Sequence, residues 1–381
     1  MDDAATGFVE GLRHLFGDLS DPRVQGRCDH VLLDIVAVSL LAVMSGAEDW
    51  PDIEEFGQRR CDWLKTFLEL PHGIPSHDTF RRVFGLLDRK QFAERLFRWT
   101  QALHEASGGK LIAIDGKTLR RSLARKSGKA ALHLVTAWSS ENALTLGQVA
   151  CEEKSNEITA IPELLKLLSL KGCTVTIDAM GCQKEIAAQI RTQKGHYVLA
   201  LKGNQSGLQE DMQALFEQGI NTDFADLTQE TYQTTERGHG RMEQRTCQAI
   251  EIPADHPQRG LWKDLRTLAI VTSCRTKDGA EAWETRLYVT SHRPRAKPLA
   301  RAIRRHWSIE NTQHWTLDVT FGEDARRQQD REGAANLAAV RRLALSLLRQ
   351  ETTIKRGVKT KRLACAIDPD YLLRVLKTAA I

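Results

Sequence analysis

The sequence predicts an α/β protein with a mixed-sheet core, preceded by an all-helical region over residues 1–105 and interrupted by a β-rich insertion over 206–292. Three observations carry that prediction. Residues 1–105 repeat their apolar positions at helical spacing. After Ala106-Ser107-Gly108-Gly109-Lys110 the pattern changes to short apolar runs bounded by turn residues. Beyond residue 292 helical spacing returns, with Trp, His and carboxylates crowded between Arg304 and Asp324. A chain of 381 residues holds two or three domains and a sizeable core. The boundaries fall at 1–105, 106–205, 206–292 and 293–381.

Taken in order, Val31–Met44 is an apolar helix, too short and too interrupted by Asp34 to span a membrane. Ile53–Leu70 reads as one amphipathic helix, ended by Pro71-His72-Gly73. Ser76 is an N-cap for a helix over Thr79–Leu87 that carries Arg81 and Arg82. That helix pair is either a helix-turn-helix presenting the arginines to DNA or a packing unit. After the linker, Leu111–Ile114 is a short strand ending at Asp115-Gly116. Ala131–Trp138 and Ala143–Ala150 are two more strands, joined by Ser139-Ser140-Glu141-Asn142. A helix over Asn156–Leu168, with Pro162 near its first turn, leads to a strand over Cys173–Ile177 that stops at Asp178. A helix over Lys184–Thr192 and a strand over Tyr197–Leu201 follow. Three antiparallel-type strands and then helix, strand, helix, strand is the order of an RNase H-like sheet, in which the first and fourth strands lie side by side.

The insertion opens with a helix over Leu208–Glu217 and continues with strands over Thr231–Thr235, Arg245–Glu251, Thr267–Thr272 and Thr285–Thr290. Gly238-His239-Gly240 and Asp278-Gly279 supply turns. Arg304–Asp324 reads as one helix, so His306, Glu310 and His314 recur at i, i+4 and i+8 with Asp318 one turn further. An amphipathic helix near Ala334–Leu348, a basic loop and a short helix over Tyr371–Lys377 complete the chain.

Composition narrows the function classes. Hydrophobic residues at 41% and charged residues at 27% suit a globular protein, and no apolar run reaches transmembrane length. The N-terminus is acidic and lacks the pattern of a signal peptide, and the eight cysteines form no Cys-x-x-Cys pair. A reduced, cytoplasmic protein without a zinc ribbon or a disulfide framework is expected. The net charge is only +5, yet Arg293–Arg362 holds 17 Lys or Arg against 7 Asp or Glu. A second run, Lys117–Lys129, holds six basic residues and no acid. Such local concentration on a nearly neutral chain suits a polyanion surface, through counterion release at each neutralised phosphate. A solvated helical face is the alternative.

The chemistry points to carboxylates. Asp115 and Asp178 share a context, Ile-Ala-Ile-Asp-Gly and Val-Thr-Ile-Asp-Ala, each being the first polar residue after an apolar strand. Ligand sites of open α/β sheets form at strand C-terminal edges. With a helix-borne Glu310, the pair makes a set of hard oxygen donors suited to Mg²⁺ or Mn²⁺. Two such ions ~4 Å apart clamp the attacking and leaving oxygens of an in-line phosphoryl transfer. Zinc held by His306, Glu310 and His314 competes, although the familiar zincin motif sets its Glu beside the first His.

Four runs carry a family resemblance: Ile-Ala-Ile-Asp-Gly-Lys-Thr-Leu-Arg-Arg-Ser at 112–122, Thr-Ile-Asp-Ala-Met-Gly-Cys-Gln at 176–183, Ala-Leu-Lys-Gly-Asn-Gln at 200–205, and Arg-x-His-Trp-x-Ile-Glu-Asn-x-x-His-Trp-x-Leu-Asp-Val-x-Phe-x-Glu-Asp at 304–324. Together they resemble the H-repeat-associated, ISAs-type insertion-sequence transposases, a DDE group with an RNase H-like core. The resemblance implies a catalytic and metal-binding triad of Asp115, Asp178 and Glu310 with two Mg²⁺ ions, or Mn²⁺ in their place. It implies double-stranded DNA as partner, both transposon inverted repeats and target, a homo-oligomer on that DNA, and a nucleoid-associated protein without a membrane anchor. The wider group spaces a Tyr, an Arg and a Lys around its Glu; the matching positions here are Ile303, His306 and Leu317. DNA contacts are therefore expected from Lys117, Arg120, Arg121, Lys202, Arg304, Arg305, His306 and His314. In related transposases the β-rich insertion meets the transposon end, so Trp262 or Trp283 either stacks on a base or packs in the insertion's core. Two rivals to transposition stand: a domesticated DNA-binding protein, and an RNase H-like nuclease without strand transfer.

Overall fold

The structure, a computed structural model, describes residues 3–17, 19–24, 26, 28–122, 130–151, 157–238, 240–325 and 330–377. The expected contributions of Asn156, His239 and the basic residues within 123–129 lie outside them. The chain forms two compact units. The first comprises Met1–Gly108, Gly116–Asn156 and Glu310–Ile381; the second comprises Gly109–Asp115 and Glu157–Ile309.

Six helices open the first unit: α1 (Asp3–Phe16), α2 (Leu32–Met44), α3 (Trp50–Arg59), α4 (Cys61–Leu64), α5 (His77–Leu86) and α6 (Arg89–Ala106). Caps account for several boundaries. The Asp49 carboxylate accepts from the Asp52 N–H at the start of α3, Ser76 Oγ accepts from the Thr79 N–H at α5, and Asp88 accepts from the Gln91 N–H at α6. The single helix expected over Ile53–Leu70 is interrupted at Arg60, whose φ of −112° leaves helical geometry between α3 and α4. On α5, Phe80, Val83 and Phe84 are buried while Arg81 and Arg82 face solvent.

Strand β1 (Leu111–Thr118) passes from the second unit into the first between Asp115 and Gly116. The expectation that it ends at Asp115 is corrected, because three further residues stay extended. In the first unit, β2 (His133–Ser139) and β3 (Leu144–Cys151) pair antiparallel with a register shift at Ala137/Trp138. The β1 end lies alongside β2, with Thr118 Oγ1 2.9 Å from His133 Nδ1 and the Leu119 N–H donating to the Leu132 carbonyl.

The second unit runs α7 (Glu157–Lys166), β4 (Thr174–Ile177), α8 (Lys184–Thr192), β5 (His196–Leu201), α9 (Ser206–Asn221), β6 (Gln229–Gly238), β7 (Arg241–Glu251), α10 (Pro257–Leu261), β8 (Thr267–Lys277), β9 (Ala280–Thr290) and α11 (Ala296–His306). Pro162 is the sixth residue of α7 rather than a first-turn residue. The strand order is β1-β4-β5-β9-β8-β7-β6. β1, β4 and β5 are mutually parallel; β9, β8, β7 and β6 add antiparallel hairpin strands at the β5 edge. The β-rich insertion is thus a continuation of the same sheet. Val198, Cys247, Ala249, Ala269 and Tyr288 on the strands pack with Leu299 and Ile303 of α11, which covers that face.

The chain re-enters the first unit through α12 (Trp315–Phe321), α13 (Arg331–Gln350), α14 (Val358–Ile367) and α15 (Pro369–Lys377). A helix stands where a basic loop was expected, because Lys361 and Arg362 of α14 turn inward: Lys361 Nζ donates to the Leu348 carbonyl at 2.9 Å, and Arg362 Nη2 to the Val43 carbonyl at 3.0 Å. α13 is buried without interruption from Gly333 to Leu348, as befits a helix packed on all sides. Leu337, Val340, Leu343, Ala344 and Leu347 share one core with Ile35–Met44 of α2, Phe80 and Phe84 of α5, and Phe92, Leu96 and Phe97 of α6. Each such large apolar side chain contributes about 2 kcal/mol on burial. Asn336 Nδ2 also ties α5 down, donating to the Phe84 and Leu87 carbonyls at 2.8 and 2.9 Å. The helices of 1–105 therefore pack on one another and close their core around α13.

Candidate active site

Register builds the first part of the site. β1 and β4 pair in parallel as Leu111↔Thr174 through Ile114↔Ile177, so Asp115 and Asp178 are the next residues on the two strands. Neighbouring strands lie ~4.8 Å apart, which brings the two carboxylates together at one edge of the paired stretch. Ile112–Ile114 and Val175–Ile177 are buried; Asp115 and Asp178 are the first partly exposed residues after them.

A rigid loop holds Asp178. Its Oδ1 accepts from the N–H groups of Met180 and Gly181, at 3.1 and 3.4 Å. Gly181 has to be glycine: a Cβ there meets Ile177 Cγ2 at 2.3 Å and Ile161 Cδ1 at 2.9 Å. The Lys-Gly-Asn-Gln run after β5 braces the same loop. Asn204 Nδ2 donates to the Ala179 carbonyl at 2.7 Å, and Gln205 Nε2 to the Cys182 carbonyl at 2.9 Å. Burial pushes the Cys182 thiol up to about 12, so it is inert packing. Thr176, two residues before Asp178, faces α11 with its Oγ1 2.9 Å from His306 Nδ1. Sequence reasoning quoted Asn204 and Gln205 inside a motif but gave them no role, since their acceptors are backbone carbonyls of a loop more than twenty residues away.

The Glu310 segment departs from the expected single helix. α11 ends at His306, Ile309–His314 is π-helical, and α12 starts at Trp315. A π turn bonds i to i+5, so the face shared at i+4 spacing by His306, Glu310, His314 and Asp318 does not form. Glu310 is exposed on that π turn, in a motif type that recurs at functional sites. Gly322, left-handed at φ 61°, stops α12. Burial holds His306 down at about 4 and His314 at about 3, so both are neutral at pH 7. Among the described residues no group of three or more His, Cys, Asp or Glu gathers as a metal site.

Comparison with known proteins follows this geometry. Residues 106–347 match the family described as Transposase DDE domain, and residues 13–100 match the DDE_Tnp_1-associated family. The "Putative transposase YncI" of Escherichia coli O157:H7 is 40% identical over 98% of this chain and 96% of its own. The "H repeat-associated putative transposase YhhI" of Escherichia coli strain K12 is 37% identical over 94% of this chain and 95% of its own. The chain belongs to the DDE transposase family. Among solved structures, piggyBac transposase in its synaptic complex with hairpin DNA is similar at TM-score 0.41 and 10% identity, over 99% of this chain and 79% of that one, and adds nothing to the assignment.

In this transposase Lys117, one of the basic residues expected on DNA, is spent inside the protein. Lys117 is corrected from a surface contact to a buried cation, 8% exposed, paired with Asp318 and, at 2.6 Å, with Glu323. Arg121 Nη1 donates to the Ala325 carbonyl at 3.0 Å. Arg120 keeps an exposed guanidinium, with a loose 3.6 Å pairing to Asp324. Lys202, Arg304 and Arg305 are exposed, Arg304 with Glu236 at 3.3 Å. His306 and His314, being neutral, bring no charge to a phosphate. Arg341, Arg342, Lys361 and Arg362 are buried, so part of the basic concentration over Arg293–Arg362 is structural. Trp262 is 1% exposed and belongs to the core; Trp283 is 66% exposed on β9. No helix among the described residues is long and apolar enough to cross a membrane.

Proposed function

We propose that this transposase cleaves DNA strands at the inverted repeats of its own insertion sequence and transfers the new 3′ ends to target DNA, with Asp115, Asp178 and Glu310 as catalytic carboxylates. The single observation that carries the reading is the register of β1 and β4, which supports a joint role for the two Asp residues. The parallel β1–β4–β5 set and the antiparallel β2–β3 pair are what an RNase H-like core requires.

The donor set fits a hard divalent cation, since Mg²⁺ takes one or two carboxylates and fills its octahedron with waters and substrate phosphates. Asp115 and Asp178 would hold two Mg²⁺ or Mn²⁺ ions, with Glu310 completing one coordination sphere. Bound there, the ions supply charge stabilisation at the attacking and leaving oxygens of an in-line transfer. The chain's own work is positional. The Met180 and Gly181 N–H groups fix Asp178 Oδ1, and the Thr176–His306 pair ties β4 to the helix that leads toward Glu310. Arg120, Lys202, Arg304 and Arg305 bind phosphates and set the DNA's register without reading sequence. Trp283 is the stacking candidate on the strands that follow β5. Paired transposon ends call for a multimer.

The test uses a labelled inverted-repeat duplex with a target plasmid. Asp115→Asn, Asp178→Asn and Glu310→Gln should each abolish nicking and strand transfer in Mg²⁺ while retaining binding of the repeat. Nicking at the wild-type rate by any of the three overturns the triad. Cleavage without transfer by the unmodified chain would make it a nuclease.

A further inference from the structure

Three carboxylates of the 304–324 motif lie outside the proposed triad: Asp318, Glu323 and Asp324. Within the first unit they grip the segment that follows Asp115. Lys117 Nζ pairs with Asp318 and with Glu323 Oε2 at 2.6 Å. Glu323 Oε1 receives Arg342 Nη1 of α13 at 2.6 Å, and both of those side chains are fully buried. Next along, the Arg120 N–H donates to Asp324 Oδ1 at 3.1 Å and Arg121 Nη1 to the Ala325 carbonyl at 3.0 Å. Residues 117–121 are thus laced to residues 318–325 at three successive points, and α13 anchors the lacing.

A buried ion cluster of this kind is a costly way to hold a fold, because desolvation cancels most of the Coulombic gain. Apolar residues would brace the same two segments as well. What a cluster adds is geometric specificity: charges that leave water must meet their partners in one arrangement. The balance is close to neutral, with Lys117 and Arg342 against Glu323 and Asp318. The cations beside Glu323 hold its carboxyl well below the usual range despite complete burial. Lys117 is two residues past Asp115 on one continuous strand, and Asp318 is two turns past Glu310 in α12.

We propose that Lys117, Asp318, Glu323 and Arg342 are positioning residues that hold the strand end directly after Asp115 and so limit where the Asp115 carboxylate can stand. The proposal rests on the triad reading above. It predicts that loosening the cluster impairs metal binding and nicking before it impairs the fold or DNA binding.

The full-length chain tests it with Asp318→Asn, chosen because Asp318 is 35% exposed and so tolerant of change, and with Lys117→Met against Lys117→Arg. Four quantities are read: melting temperature, repeat binding without metal, Mn²⁺ affinity from the paramagnetic resonance signal of unbound Mn²⁺, and the Mg²⁺ dependence of nicking. For Asp318→Asn the expected result is a melting temperature within a few degrees of wild type and unchanged repeat binding. Its Mn²⁺ affinity should be at least fivefold weaker, and its nicking at limiting Mg²⁺ at least tenfold slower, with partial recovery at high Mg²⁺. Lys117→Met should show the same pattern, and Lys117→Arg should restore most of it, since a guanidinium keeps both ion pairs. Wild-type Mn²⁺ affinity and Mg²⁺ dependence in a folded Asp318→Asn overturns the proposal, and so does failure of that variant to fold, which would make the cluster a stability device. Asp178→Asn, run alongside, separates the layers: if it nicks normally the triad itself fails, whereas a dead Asp178→Asn beside a wild-type-like Asp318→Asn sinks the positioning role alone.

Discussion

His292 illustrates how this transposase fixes protonation at single residues. Its Nε2 lies 2.9 Å from Thr174 Oγ1 and its ring stacks on His196 at 4.2 Å. Burial, with the His196 ring and Arg191 nearby, pushes it down to about 4. An unfolded histidine titrates near 6.5, so as pH falls the unfolded chain takes up its proton first. The stabilisation from keeping His292 neutral is complete above about pH 6.5 and is lost as pH falls through about 4. His292→Gln should therefore flatten the decline of the urea midpoint between pH 6.5 and 4. An identical slope in both proteins would remove His292 from the acid limb. The same logic governs His306 and His314, which the sequence set on either side of Glu310 as expected DNA contacts. The charge state depends on a tertiary environment that no spacing of residues reveals.

At the scale of elements, the Asp-bearing strands were legible and the Glu-bearing helix was not. β4 and β5 follow from their apolar runs and turn residues, and β1 from Leu-Ile-Ala-Ile. The extension of β1 through Gly116–Thr118 was hidden because Asp-Gly-Lys-Thr resembles a turn, while the partners that keep it extended, His133, Asp318 and Glu323, are 15 to more than 200 residues away. The π-helical stretch Ile309–His314 has no periodicity that separates it from an α-helix, so one long helix was the natural expectation. The end of α12 at Phe321 was missed as well, since the expected helix ran on to Asp324. Gly322 takes φ 61°, and an added Cβ meets Glu48 Oε2 at 2.8 Å. Gly322→Ala should destabilise the protein by roughly 1–2 kcal/mol, the cost of a left-handed L-residue, seen as a lower melting temperature. A melting temperature at or above wild type would show that α12 ends for another reason.

For the whole molecule, the sequence suggested consecutive segments and the structure shows interleaved ones. The helices of 1–105 looked like a domain because they precede a linker and a change of periodicity. Their core is completed by α13, whose apolar residues carry no mark of which distant helices they will meet. A chain ending at residue 309 should leave α2, α5 and α6 without that partner. Amide exchange over 32–44 and 77–106 should then lose its protection, while exchange over 196–201 and 267–290 stays slow. Native-like protection of α2, α5 and α6 in the shortened chain would show that those helices fold alone. Part of the basic concentration in the last quarter of the chain is likewise internal, since Arg341, Arg342, Lys361 and Arg362 are consumed by carbonyls and carboxylates.

The division of β1 between two units also has a temporal side. A ribosome delivers residues 109–309 before residues 310–381, so the second unit is complete in sequence while the first still lacks α12 to α15. At ~5–20 residues per second, the apolar faces of α2, α5 and α6 wait on the order of tens of seconds for α13. During that interval Lys117 and Arg120 have no carboxylate to meet. The strand can carry Asp115 from the outset, but the lacing that secures its far end belongs to the last stretch to be made, and a copy of the gene interrupted late yields a chain that holds Asp178 in its loop and lacks the lacing past Asp115.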